Sequence, residues 1–369
     1  MFFKCTDWLC FLLGIKHYTS NCCIRRLNIV LRIIYILELT YALGSVLYLY
    51  FFQSHDSVVS DLGYIYLYCS TLFGYIYYVR NLQDIARLFT ELRSYLNLIN
   101  QIRCNRISLG LLLVLFVNVV FHTLTQVLYF MGKTATQVIE SNSHVRLSDD
   151  TKVTIYHRLL AGYMLAVYIK CIPTFQTITC VMYAYAIYLF HLVEKQFYET
   201  AWLQFRHNSP NQLVTQKYVI QYVTITKLQA NFNQYFELYP FLWLSYLFMK
   251  ASAALVFMFS SSTNTQLFFL LNEYIGLITY LLTFAATIVV VSHQLEKTIE
   301  AKRNFVSNCY GLGIVNETKF LIEILARNEF VLTGWSMFVI NKHLILSFSG
   351  SLITFSVLFA NLSGAPVQA

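Results

Sequence analysis

The stretch LILSFSGSLITFSVLFANL, running from Leu344 to Leu362, decides the fold. It is long and apolar enough to cross a bilayer as a helix. Yet Ser347, Ser351, Thr354, Leu358 and Asn361 recur along it at intervals of four and three. That spacing gathers one mostly polar stripe on one side of a helix, while Phe348, Leu352, Phe355 and Phe359 fall elsewhere on its circumference. A polar stripe is unfavourable against lipid, so it requires water or another helix beside it. Two readings follow: the stripe faces water, or Ser347, Ser349, Gly350 and Ser351 form a small-residue packing face between helices of one subunit.

The rest of the chain supplies the setting. Of 369 residues 57% are hydrophobic and 12% charged, half the charged share of an average soluble domain, which makes this an integral membrane protein. Working back from the last segment, apolar runs able to span occur at Leu27 to Phe52, Asp61 to Tyr78, Ile107 to Met131, Arg158 to His191, Tyr239 to Ser260 and Leu267 to Val291. The expectation is an all-α membrane protein with seven transmembrane helices. Nineteen of the 26 Lys and Arg residues lie in the amino-terminal segment and the second, fourth and sixth connections, against Lys133, Arg146 and Lys152 on the other side. By the positive-inside rule the amino terminus is cytoplasmic and the carboxyl terminus extracellular. Helical periodicity continues through Leu192 to Glu237 and Ser292 to Asn341, which predicts extended helices on the cytoplasmic side. The expected organisation is a cytoplasmic amino-terminal segment at 1–26, a six-helix ligand-binding bundle at 27–291, a cytoplasmic anchor region at 292–343, and a seventh helix with a short outer tail at 344–369.

Several function classes are excluded on composition and motif. The net charge of +8 is spread over short connections and serves orientation, with no basic patch suited to nucleic acid. There is no Gly-rich phosphate loop, His-Glu-x-x-His run or nucleophile elbow, so neither an enzyme nor a cofactor is indicated. Six of the nine cysteines fall on the reducing side and Cys69, Cys171 and Cys180 within spans, so none is placed for an outer disulfide, and no Cys and His cluster has zinc spacing. Trp8 to Ile15 is too short to span and lacks a small-residue cleavage site, unlike a signal peptide.

Polar side chains within spans are the informative ones, because each is costly in lipid. Arg32 and Glu38, His122 and Gln126, Lys170, Lys250, Asn272 and Glu273 are such residues. One reading makes them interhelical contacts, with Arg32 snorkelling to the cytoplasmic face and Lys250 pairing with Glu273. The other has them converge. In the assigned orientation His122, Gln126, Tyr129, Tyr163, Tyr168, Asn272 and Glu273 lie in the outer halves of their spans, where they can line a cavity open to the outside. Tyr66, Tyr168 and Tyr280 sit inside spans, away from the interfacial belt that most tyrosines would occupy, and suit an apolar pocket with a few polar tips. The candidate ligand-binding residues are therefore Tyr66, His122, Gln126, Tyr129, Tyr163, Tyr168, Lys250, Asn272 and Glu273.

At the last span the chain resembles a known family. Thr333-Gly334 and Phe338-Val339-Ile340-Asn341 hold places related to the conserved run before the seventh helix of insect gustatory receptors. Thr354-Phe355-Ser356-Val357-Leu358-Phe359-Ala360-Asn361-Leu362 is similar to their signature of Thr-Tyr, five mostly hydrophobic residues and Gln-Phe, with Phe355, Asn361 and Leu362 in place of Tyr, Gln and Phe. The resemblance implies a ligand-gated, non-selective cation channel of four subunits, with the seventh helix of each lining a central pore. It assigns Ser351, Thr354, Leu358, Asn361 and Leu362 to the pore and gate. The implied ligand is a small-molecule tastant, with aromatic wealth leaning toward bitter or plant-derived compounds and a sugar as the alternative. The implied assembly is a homotetramer in the plasma membrane, alone or with other gustatory subunits.

The rival reading, a heptahelical G-protein-coupled receptor, would want the opposite orientation, an outer disulfide, an Asp-Arg-Tyr type run and prolines in the later spans. A secondary transporter would want paired half-sequences with broken helices. An epitope fused after Ala369 is expected to be labelled on intact cells, and one fused before Met1 only after permeabilisation. The reverse labelling would turn the chain over and revive the receptor class.

Overall fold

The computed structural model describes residues 22–52, 58–96, 100, 120, 175–207, 212–260, 267–311, 315–327, 330–334 and 336–362. In chain order the elements are α1 (Cys22–Phe52), α2 (Val58–Arg80), α3 (Leu82–Ser94), α4 (Phe175–His207), α5 (Gln212–Phe236), α6 (Leu238–Ser260), α7 (Leu267–Gly311), α8 (Val315–Arg327), β1 (Thr333–Gly334), β2 (Phe338–Val339) and α9 (Lys342–Leu362). The first, second, fifth, sixth and seventh expected spans coincide with α1, α2, α6, α7 and α9, and the second half of the fourth lies in α4. The third, at 107–131, falls outside the described residues except for Val120. Among the described residues, three helices contain an apolar stretch long enough to cross a membrane: within Arg26–Gly44 of α1, within Phe175–His207 of α4 and within Leu277–Gly311 of α7.

Helix α4 sits at the centre. From Phe175 to Glu194 every residue but Gln176 is buried, so this stretch has no solvent or lipid face, and it is mostly apolar, as a surrounded helix is, with Thr177, Thr179, His191 and Glu194 as buried polar exceptions. Helix α7 packs along it, α2 packs on α1 and α6, and α3 and α5 also pack against it. The contacts are largely aromatic: Tyr183 meets Phe232 at 5.2 Å and Trp243 at 5.6 Å between centroids, Phe232 stacks on Phe236 at 4.8 Å, and Phe190 meets Phe232 edge-on at 5.5 Å. Such pairs add about 0.5–1.5 kcal/mol each beyond the area they bury. Glycine allows one close approach, since at Gly74 a β-carbon would sit 3.0 Å from a methyl of Leu242.

Two helices outrun the membrane. The 45 residues of α7 make a rod of about 67 Å and the 33 of α4 one of about 50 Å, against a hydrocarbon core of about 30 Å. The helical extensions read in the sequence are continuous with the spans: α7 passes Val291 and Ser292 without a break. The second connection, not read as helical, carries α3. Its Leu82, Ile85, Leu88, Phe89 and Leu92 form one buried face, and Asp84 and Arg93 stand at the ends where the helix dipole favours them. Arg93 donates to the Tyr185 hydroxyl at 2.8 Å and lies 5.9 Å from that ring's centroid, pinning α3 to α4.

The passage into α9 is a two-stranded antiparallel ribbon, pairing Thr333 with Val339 and Gly334 with Phe338. Ser336 takes a positive φ of 56° at its tip, and the Ile340 amide closes the ribbon on the Leu332 carbonyl at 2.9 Å. The Phe338 ring lies over Gly334, where any β-carbon would collide with it. We expect Gly334→Ala to lower the melting temperature of the solubilised protein, at a cost of about 1–3 kcal/mol. Phe338→Ala in the same chain should recover part of that loss, whereas an unchanged melting point would mean the ring is not held there.

Candidate functional site

The base of α9 is fixed from three sides. The Asn341 side chain accepts the Leu344 amide at 3.2 Å as an N-cap. Lys342 pairs with Glu296 of α7 at 2.7 Å; both are half exposed, so the pair guides register more than it adds stability. Ile340, buried, seats the ribbon under the helix.

Above that base the helix divides as its spacing implies. Phe348, 8% exposed, meets Phe284 of α7 at 6.2 Å and Phe248 of α6 at 6.5 Å, and Phe355 meets Phe248 edge-on at 4.8 Å. Leu344, Ile345 and Leu352 pack on the same core. Ser347, Ser349, Gly350, Ser351 and Thr354 are exposed, and a β-carbon built on Gly350 meets nothing within 4 Å. Among the described residues nothing packs on them, which speaks against the second of the two readings above. Ser351 and Thr354 satisfy their hydroxyls on the Ser347 and Gly350 carbonyls, each at 2.9 Å, leaving acceptor capacity outward. Leu346 at 72%, Ile353 at 67% and Val357 at 57% flank the stripe, so the exposed side of α9 is mixed in polarity. Leu358, Asn361 and Leu362 continue the helix, with side chains outside the described residues.

The candidate ligand-binding residues divide likewise. Tyr66 of α2 is half buried against the core and hydrogen-bonded to Ser245 of α6, an interhelical contact. Lys250, Asn272 and Glu273 lie on α6 and α7, with side chains outside the described residues. His122, Gln126, Tyr129, Tyr163 and Tyr168 fall outside the described residues altogether. Arg32 reaches its guanidinium back to the Asn28 side chain at 3.3 Å, toward the amino-terminal end of α1.

The structure adds a cleft that sequence reasoning met only through Tyr280. Gln176 and Cys180 of α4, Trp243 and Tyr246 of α6, and Tyr280 and Phe284 of α7 line it. It has room for about one water. Trp243 donates its indole N–H to Thr179 at 3.1 Å, and the Tyr246 and Tyr280 rings meet edge-on at 5.1 Å. A second cleft, lined by Tyr183, Trp243, Phe284, Ile340 and Leu344, shares Trp243 and Phe284 with the first and opens at the base of α9. A displacement in the bundle thus has a packed route to the start of the last helix. Trp243 and Phe284 carried no signal of their own in a chain with this many aromatic residues.

No protein-family profile matches the chain, and no curated relative matches it. Its fold is similar to that of the insect olfactory receptor OR5 from Machilis hrabei, with a TM-score of 0.72 at 13% identity over 98% of this chain and 99% of that one. The same receptor in complex with eugenol superposes with a TM-score of 0.70 at 14% identity, over 97% and 98% of the two chains. The chain is a multi-pass membrane protein with the fold of an insect olfactory receptor. The division of α9 carries its own test, read as stability of the solubilised subunit: Phe348→Ala should cost about 3 kcal/mol and Ser351→Ala less than about 0.5. Equal losses would mean that both faces are buried.

Proposed function

We propose that the chain is an insect gustatory receptor, a tastant-gated and non-selective cation channel of the plasma membrane, working as a homotetramer or with other gustatory subunits. The observation that carries this reading is the exposed polar stripe of α9 in a chain with this fold. Among the described residues no helix of the same subunit covers the stripe, whereas four copies around an axis would turn it onto a water-filled path. The gustatory rather than olfactory assignment rests on the resemblance of Thr354 to Leu362 and of the ribbon before α9.

In this mechanism Leu358 and Leu362 close the path by dewetting, and Asn361 amides partly replace an ion's hydration when it opens. Ser351 and Thr354 line the approach. A tastant enters an outer cavity among the second to sixth helices, with Tyr66, His122, Gln126, Tyr129, Tyr163, Tyr168, Lys250, Asn272 and Glu273 as candidate contacts. It shifts the equilibrium only by its differential affinity for the open state. Trp243 and Phe284 pass the change to Leu344, and the outer part of α9 moves from the axis while its base stays tied by Asn341 and Lys342. That the related fold has been seen with eugenol, a small aromatic molecule, supports a bitter or plant-derived ligand for this aromatic bundle.

Whole-cell recording from cells expressing this chain, during a screen of bitter compounds and sugars, tests the reading. A ligand-evoked cation current is expected, with rectification or permeability altered by Asn361→Ala and Leu358→Ala. A current that neither substitution touches would move the pore away from α9.

A further inference from the structure

Three residues beyond the end of the fourth span, α4, α5 and α7 meet around a carboxyl group that the gating mechanism does not use. Glu194 is 3% exposed. Tyr198, one turn on, donates its hydroxyl to one carboxylate oxygen at 3.1 Å, and the Gln229 side-chain amide of α5 donates to the other. The Tyr198 and Tyr222 hydroxyls are hydrogen-bonded to each other, extending the cluster across α5. From α7, Lys302 acts on the carboxylate through space. The other charged groups of this level, Lys195, His293 and Lys297, lie toward His191, which bonds Thr298 of α7 at 2.9 Å. Both hydrogen bonds to Glu194 thus come from neutral groups inside a junction of three helices.

We propose that Glu194 is a proton-binding site, loaded and emptied by the pH of the cytosol, that tightens the α4–α5–α7 junction when it holds a proton. Burial opposes the charged form and pushes the carboxyl up to about 7, the two donors and Lys302 drawing it only part of the way back. With the proton on, the group is neutral and its O–H can donate to the Gln229 oxygen once that amide turns over. With the proton off, a charge remains in a site that excludes water. The folded chain holds this proton to a higher pH than the unfolded one. Its contribution to stability therefore falls as pH rises from the ordinary carboxylate range to about 7, and is lowest above that. Because α7 is one rod from this junction into the membrane, the proton acts on the helix that carries the sixth span.

The test is infrared difference spectroscopy of the purified protein across neutral pH, with thermal melting alongside. A protonated-carboxyl band should titrate with a midpoint near 7, vanish in Glu194→Gln, and move to higher pH in Tyr198→Phe, which removes one donor to the charged form. Between about pH 6 and about pH 8 the melting temperature of the wild type should fall by about 2 °C relative to Glu194→Gln. A titrating band that neither variant alters would overturn the assignment. Neither readout needs current, so a chain that titrates as described yet never conducts would count against the channel alone.

Discussion

Everything described in this molecule depends on the burial of α4. A helix mostly apolar all round is stable only when enclosed, and enclosure fixes where the other helices go. Helix α7 runs along it, α6 reaches it through Trp243, and α3 and α5 also pack against it. Aromatic side chains make this packing tight, since large rings at close centroid distances leave clefts with space for little more than a water. A core of this kind repacks between discrete arrangements rather than deforming smoothly, which is the property a gate requires.

Helix α9 is the exception to that enclosure. Its aromatic face is held by Phe248 and Phe284, its base by the Asn341 cap, the ribbon and Lys342, and Ser347, Ser349, Ser351 and Thr354 on its other side are exposed. The contrast is one of attachment. The lower end is tied by several kinds of contact at once, whereas the Ser351 and Thr354 hydroxyls bond to their own helix backbone. A helix anchored at one end and along one face can tilt without breaking the bundle.

Much of this was legible in the sequence, because the bilayer is a simple solvent. Runs of about 20 apolar residues mark spans whatever their neighbours, and five of the seven runs coincide with described helices. The interval of three and four through Ser347, Ser351 and Thr354 gathered the stripe on one side of α9, while leaving open whether that side met water or another helix. Other features were hidden for identifiable reasons. Helix α3 lies in a connection whose Arg residues read as orientation signals, although Leu82, Ile85, Leu88 and Leu92 have helical spacing. The ribbon is two residues per strand, too short for an alternation to show, and is held by Phe338 over Gly334. Glu194 reads as one acid among the polar residues after His191, since burial among three helices leaves no mark in local sequence. The clefts depend on pairings between α4, α6 and α7, and Tyr280 was legible only as a tyrosine too deep for the interface.

The measurement that bears most directly on α9 is thiol block of the ligand-evoked current after single cysteine substitution along it, with the unsubstituted chain as background. Cysteine at Ser347, Ser351 or Thr354 should make the current sensitive to a charged, water-soluble thiol reagent, while cysteine at Phe348 or Leu352 should leave it as insensitive as the background. Block from the aromatic face with none from the stripe would mean that α9 presents its other side to the ions, or does not line their path.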